Sequence, residues 1–295
     1  MSDPVLRPMA EADLPAVERL TAETYHELDT RTFRRAWPEP ELRPPARVEE
    51  WLTRTGHFLA TDPGGCWVAE DDSGLLGAAI SYRRELMWIL ASYAVRPGLQ
   101  GQGLGTALLA AAQDHGRGCL RAMLSASSDT RATRRYWRAG FALHPQLFLS
   151  GTVDRTAIPV GTGRKVRDGT AADVELMDSL DRRARGAAHG PDHAVMARLW
   201  RLRVSDTSTG SGYAYVADDG RVQLLAASNR RTAERLLWDA LAATGGETEL
   251  FHVTPANRWA VDVAMTARLD LHQEGYLALR GLGPPAPYLH NGVFL

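Results

Sequence analysis

The chain has 295 residues, enough for two domains of about 150 residues each, and 44% of them are hydrophobic, ample for packed cores. Its charges nearly cancel, overall and by halves: residues 1–155 hold 18 Arg against 19 Asp and Glu, and the remainder holds 16 basic against 16 acidic side chains. That balance excludes a basic stripe for nucleic acid and an acidic tail, and no apolar run approaches the ~20 residues of a membrane span.

The elements can be taken in chain order. Val5-Leu6-Arg7-Pro8 reads as a short strand, and Asp13-Leu14-Pro15 opens a helix with Leu14, Val17, Leu20 and Ala22 at helical spacing. Pro38, Pro40, Pro44 and Pro45 break it before a second helix near Val48–Leu52. Phe58–Thr61, Cys66–Glu70 and Leu75–Arg83 read as strands, divided by the turns at 62–65 and 71–74. Leu86–Val95 is long and mostly apolar, as a central buried strand should be. A glycine-rich loop, a helix to about His115, a strand near Leu120–Ser125, a helix around Tyr136 and a strand through Phe148 follow. Gly151 to Gly163, with Pro159 and Gly161, reads as a linker.

After the linker the pattern restarts. Lys165-Val166-Arg167 with Thr170-Ala171-Ala172-Asp173 echoes Leu6-Arg7-Pro8 with Ala10-Glu11-Ala12-Asp13. Helices are expected at Val174–Arg185 and His193–Leu202, then strands at Tyr213–Ala217 and Val222–Ala227. A helix at Thr232–Ala243, a strand at Glu249–Val253, a helix at Ala256–Ala267 and a strand at Leu277–Arg280 complete the second half.

The run Val95-Arg96-Pro97-Gly98-Leu99-Gln100-Gly101-Gln102-Gly103-Leu104-Gly105-Thr106 carries the chemistry. A strand runs into a glycine turn and straight into a helix, whose first amides lack partners and whose dipole end is positive. That is a site for a phosphate or pyrophosphate. Leu108 stands where a dinucleotide fingerprint would place its third glycine, no acidic residue follows at about twenty residues, and no Gly-Lys-Ser/Thr makes a P-loop.

Gln100-x-x-Gly103-x-Gly105 instead resembles the Gln/Arg-x-x-Gly-x-Gly/Ala motif of the GNAT N-acetyltransferase superfamily. Asp129-Thr130-Arg131-Ala132-Thr133-Arg134-Arg135-Tyr136-Trp137-Arg138-Ala139-Gly140-Phe141 resembles that family's closing motif. Asp129 or Ser128 suits the N-cap and Gly140 the helix stop. The resemblance implies an α/β (α+β) fold: two tandem GNAT-like units, each a mixed, mainly antiparallel sheet flanked by helices. The expected domains are 1–155, a GNAT acetyltransferase domain binding acetyl-coenzyme A, and 164–295, a degenerate GNAT-like domain that braces the first or walls its acceptor site. The second unit has Ala226-Ala227-Ser228-Asn229-Arg230-Arg231-Thr232 where a Gly-x-Gly is wanted, and Trp259 stands nearest its tyrosine slot.

By the same resemblance, acetyl-coenzyme A is the cosubstrate. The amides of Gln100, Gly101, Gln102, Gly103, Leu104 and Gly105 hold its pyrophosphate, with the Thr106 hydroxyl. Asp129 and Arg135 line the coenzyme, Arg96 and Arg134 are further cations, and a backbone N–H among Tyr93, Ala94 and Val95 meets the thioester oxygen beside a bulge. Tyr136, four residues before Gly140, is the expected proton donor to the coenzyme thiolate. The base is open. Family members often carry a glutamate on the fourth strand, where only Glu85 stands near, at its start. Glu27, with Glu23, His26 and Asp29 at the end of the first helix, is one candidate, and the terminal carboxylate at Leu295 is another.

No cysteine falls in either motif, so direct attack by an amine in a ternary complex is expected, and Cys66 and Cys119 suit a reduced compartment. Met1-Ser2-Asp3-Pro4 lacks the charge and apolar core of a leader, so a cytoplasmic protein is expected. A small-molecule amine is the favoured acceptor. No nucleic acid, membrane or metal partner is expected, and the oligomer is a monomer or homodimer. His189 and His193 stand i, i+4, but Pro191 breaks any helix between them and no further ligand is close in sequence. Trp51, Trp67, Trp88 and Trp137 are read mainly as core, with Trp37 or Trp88 able to line an acceptor pocket.

Overall fold

The structure is a computed structural model and describes residues 3–33 and 39–295. Trp37 lies outside them. The chain divides into two compact units, residues 1–119 and 120–295.

In the first unit, β1 (Val5–Pro8) precedes α1 (Leu14–Thr32) and α2 (Pro45–Thr61), then come β2 (Cys66–Asp71), β3 (Gly74–Arg84), β4 (Met87–Val95) and α3 (Leu104–His115). The strands pair antiparallel in the order β1-β2-β3-β4. Phe58–Thr61, expected as a strand, is instead the last turn of α2. Trp51, Thr55 and Phe58 recur at helical spacing and are all buried, and Phe58 stacks on Tyr82 of β3 with ring centroids 4.4 Å apart. On α3, Leu108, Leu109 and Ala112 are buried. The helix lies so close to the sheet that a Cβ on Gly77 would come within 2.8 Å of Leu108 and 2.9 Å of the Ala94 carbonyl.

A buried carboxylate ties these layers together. Asp62, just past α2, accepts from Arg84 Nη1 at 2.8 Å and the Arg83 N–H at 2.8 Å, and lies 3.0 Å from His115 Nε2 at the end of α3. Burial alone would raise this carboxyl, but His115, Arg84 and the Arg83 amide outweigh it and hold it well below the usual carboxylate range.

The second unit contains β5 (Arg121–Ala126), α4 (Thr130–Arg138) and β6 (Ala142–Thr152). After the 151–163 stretch it continues with β7 (Arg167–Asp168), α5 (Val174–Arg185), α6 (Asp192–Leu199), β8 (Arg201–Thr207), β9 (Gly210–Val216) and β10 (Val222–Ala227). It ends with α7 (Arg230–Ala243), β11 (Glu247–Val253), α8 (Arg258–Thr266), β12 (Asp270–Arg280) and β13 (Tyr288–Leu289). From β1 to β6 and from β7 to β12, the helix and strand order is the same. Two details differ from expectation. Helix α6 stops at Leu199 and its expected tail is strand β8, because Leu202 and Val204 alternate inward with polar residues between them. Strand β12 begins at Asp270 and not at Leu277.

Pairing does not respect the repeat. Strand β12 lies between β5 and β6, antiparallel to both, with Leu279 opposite Met123 on one side and Ala142 on the other. Strand β11 extends the same sheet from the far edge of β6. A second sheet runs β13-β10-β9-β8-β7. The compact division therefore falls at 119/120, before the junction expected at 155: β5 and β6 close their ladder with the last long strand of the chain.

Candidate functional site

In the first unit the site grows from the end of β4. Ile80 of β3 faces Ser92, and Ser81 faces Leu90, so Ala91 is an extra residue and β4 bulges there. Past the bulge the strand is in register again, and the Arg96 N–H donates to the Leu76 carbonyl at 2.8 Å. Alternation then turns Ala94 toward β3, while Tyr93 and Val95 direct their amides and carbonyls to the opposite edge. On that edge the Tyr93 N–H donates to the Tyr25 hydroxyl at 3.3 Å, and the hydroxyl lies 2.9 Å from Ser92 Oγ. The Val95 carbonyl accepts from the Gln100 side chain at 3.0 Å.

Sequence reading passed over Tyr25. Its signal was the helical spacing from the buried residues Val17, Thr21 and Thr24, which brings α1 down on β4.

The loop that follows is built on backbone conformation. Gly101 and Gly103 have φ of 88° and 93°, a region open to glycine and strained for other residues. A Cβ at either would meet nothing within 4 Å, so conformation and not crowding requires glycine there. Gly103 caps α3 through its carbonyl, which accepts from Thr106 N–H at 2.9 Å and Ala107 N–H at 3.1 Å. No side chain caps the helix start. The amides of Gly101, Gly103, Leu104 and Gly105 find no acceptor among the described residues, so they collect at the positive end of the helix dipole. Gln102 lies exposed, and its side chain reaches the Gly98 carbonyl at 3.4 Å. Thr106 has spent its amide but exposes its side chain. Gly105 differs from the other two, being a buried residue of the helix itself.

A cavity of about 340 Å³ opens beside the strand end, lined by Arg19, Glu23, Thr24, Ser73 and Arg96 among others. Glu27 and Asp29 are exposed on the last turns of α1, and Glu85 has a left-handed φ of 53° in the β3–β4 turn.

In the second unit, Asp129 caps α4, its carboxylate accepting from Arg131 N–H at 2.7 Å. The helix closes with Gly140 at φ 84° and the Phe141 N–H on the Tyr136 carbonyl at 3.1 Å. Tyr136 is buried and sits edge-on to Phe141, their centroids 6.4 Å apart. Arg135 is half-buried and Arg134 exposed. Trp137 departs from the core reading: it is 66% exposed, because Tyr136 takes the inward position of the amphipathic turn. Leu295 is fully buried, beside Phe294, whose ring meets Trp200 edge-on at 5.9 Å.

The matching junction between β10 and α7 is built otherwise. Asn229 Oδ1 caps the helix by accepting from Thr232 N–H at 3.0 Å, and Arg230 pairs with Glu234 at 2.6 Å. Trp259, in the tyrosine slot, is buried and donates to Asn257 Oδ1 at 3.0 Å.

Among the described residues no helix is long and apolar enough to cross a membrane. No curated protein matches the chain in sequence. Residues 22–141 match the acetyltransferase (GNAT) family model. Among solved structures, an acetyltransferase candidate from Pyrococcus horikoshii superposes with a TM-score of 0.70 at 16% identity, covering 98% of this chain and 92% of its own. A GCN5-related N-acetyltransferase from Sphaerobacter thermophilus gives 0.58 at 17% identity, covering 99% and 98%. A tandem GNAT protein from the clavulanic acid biosynthesis pathway gives 0.56 at 13% identity, covering 96% and 99%. At such identities the likeness shows the fold. Glycine loop and bulged strand both fall within the residues that the acetyltransferase (GNAT) family model matches, and the chain has the fold seen in the tandem GNAT protein.

Proposed function

We propose that this protein transfers an acetyl group from acetyl-coenzyme A to the amine of a small molecule, by direct attack in a ternary complex. The cluster of amides at the start of α3, held by two glycines at positive φ, carries the reading. Those donors suit a pyrophosphate, and an anion at such a helix end is stabilised by about 0.3–2 kcal/mol. Val95, whose amide faces the bulged edge of β4, is the proposed donor to the thioester oxygen, since Ala94 turns to β3 and Tyr93 donates to Tyr25. Such a donor is worth of order 10²–10³-fold in comparable sites.

Tyr136 is the proposed acid for the leaving thiolate, on its place in the closing motif, and general-acid help is worth about 10²–10⁴-fold. Residues 1–155 carry the chemistry in this reading, and 164–295 support them. The full burial of Leu295 favours an exposed α1 carboxylate such as Glu27 over the chain terminus as proton acceptor.

Calorimetric titration with acetyl-coenzyme A tests the core of the proposal. One site per chain, abolished by Gly103→Asp, is expected; no binding to the folded protein would refute it. A non-catalytic acyl-coenzyme A binder is the competing reading, supported by the loop's lack of cationic side chains. An amine-dependent release of free thiol that falls in Tyr136→Phe, with coenzyme binding retained, decides for the enzyme.

A further inference from the structure

A second cluster of chemistry-bearing side chains lies inside the second unit. Asp181 comes from α5, His189 from the turn after it and His193 from the first turn of α6, and all three are buried. Their ligand-type atoms lie within 4.8 Å of one another. His189 Nδ1 is 2.7 Å from Asp181 Oδ2, and His193 Nε2 is 3.2 Å from the same oxygen and 3.2 Å from Asp178 Oδ1.

His193 makes this arrangement informative. Its Nδ1 and its carbonyl each lie 3.2 Å from the Tyr215 hydroxyl. Its Nε2 faces two carboxylate oxygens, yet it is buried and makes no aligned hydrogen bond with either. A cation has no such angular demand. Both outward ring nitrogens have tyrosine partners, His193 Nδ1 with Tyr215 and His189 Nε2 with Tyr288 at 3.4 Å, the outer support that metal-bound imidazoles commonly have. Tyr213 donates to the other Asp181 oxygen at 2.5 Å and fixes that carboxylate as well.

We propose that Asp181, His189 and His193 form a site for a divalent transition metal, zinc by the chemistry of two imidazoles and a carboxylate; the Asp178 carboxylate beside them accepts from the Gly190 N–H at 3.0 Å. Ligands at about 2.0–2.1 Å from a tetrahedral ion stand a little over ~3 Å apart; the 3.2 Å from His193 to Asp181 matches that spacing, and the 2.7 Å from His189 to Asp181 opens by a few tenths of an ångström. The proton that His189 now directs at Asp181 moves to its Nε2, facing Tyr288. Sequence reading set the two histidines aside for want of a third ligand, which α5 supplies from eight residues upstream.

The test uses the full chain, stripped by dialysis against a chelator and titrated with Zn(II) by calorimetry and with Co(II) by visible absorption. One equivalent is expected, with intense bands of low-coordinate cobalt, and His193→Gln and Asp181→Asn should each weaken uptake at least tenfold. Failure of the folded wild type to bind either ion overturns the proposal, as does unchanged uptake in variants that keep the wild-type circular dichroism. Should the variants fail to fold, the wild-type cobalt spectrum decides, because weak bands like those of the hydrated ion would refute a buried nitrogen-ligated site.

Discussion

Replacing Gly103 by alanine separates backbone conformation from every other role of the loop. The residue has φ 93° and ψ −26°, and a Cβ there meets nothing within 4 Å, so no steric clash enters. What remains is the strain of an L-residue in a left-handed conformation, about 1–2 kcal/mol. In the free protein the loop can relieve that strain by moving, and rebuilding the amide cluster around a pyrophosphate then costs the same amount. The dissociation constant for acetyl-coenzyme A should therefore rise about 5- to 30-fold. Gly118 supplies the control: it has φ 86°, equally open space around its Cβ, and a place beyond the far end of α3, a helix of about 18 Å. Gly118→Ala should destabilise the fold to a similar degree and leave the coenzyme affinity alone. Calorimetry and thermal melts on both variants make the measurement. Equal affinities for Gly103→Ala, Gly118→Ala and wild type would show that the loop's conformation is not what binds.

Other consequences can be measured independently. Asp62→Asn strips the buried Arg84 guanidinium of its carboxylate and should cost about 3–5 kcal/mol in urea unfolding; a loss below 1 kcal/mol would deny the Asp62 network its role. Gly116→Ala drives a Cβ to 2.6 Å from the Trp88 ring and should cost about 1–3 kcal/mol by the same assay. Burial pushes the His290 imidazole down to about 4, so it stays neutral when folded and binds a proton near pH 6.5 when unfolded. Stability should fall as pH drops from about 6.5 toward 4, by up to about 3 kcal/mol from this group, and His290→Asn should flatten the slope. Truncation after Arg155 removes β11 and β12 from the flanks of β6 and should give insoluble protein, checked by expression and light scattering.

Local signals were legible where local physics decides. Leu86–Val95 is apolar enough to be a central strand, Gly101 and Gly103 can only mark special backbone, and Tyr136 to Phe141 spells out a helix and its stop. The same reasoning misjudged Phe58–Thr61, whose apolar run is too short to show its period until Trp51 and Thr55 are counted with it. Partnerships made in space were not legible. Tyr25 looks like any half-buried helix residue until the Ala91 bulge exposes a backbone edge for its hydroxyl. Asp181 likewise gains meaning only beside His189 and His193.

The placement of β12 is the deepest of these spatial facts, and it explains why a repeated sequence need not give two self-contained bodies. Strands β5 and β6 are joined through α4, with room between them for one more antiparallel partner. Any strand with inward-facing Leu277 and Leu279 and a free ladder on both edges satisfies that vacancy, and chain order does not enter the hydrogen bonding. The chain fills it with the last long strand of the second repeat, while β13 goes to the edge of β10 in the second sheet. Each repeat thus leaves part of its ladder to be closed by residues near the C-terminus. The second repeat's loop is built on the capped Asn229 turn and not on open glycines, and its strands are required for these ladders whatever that loop holds.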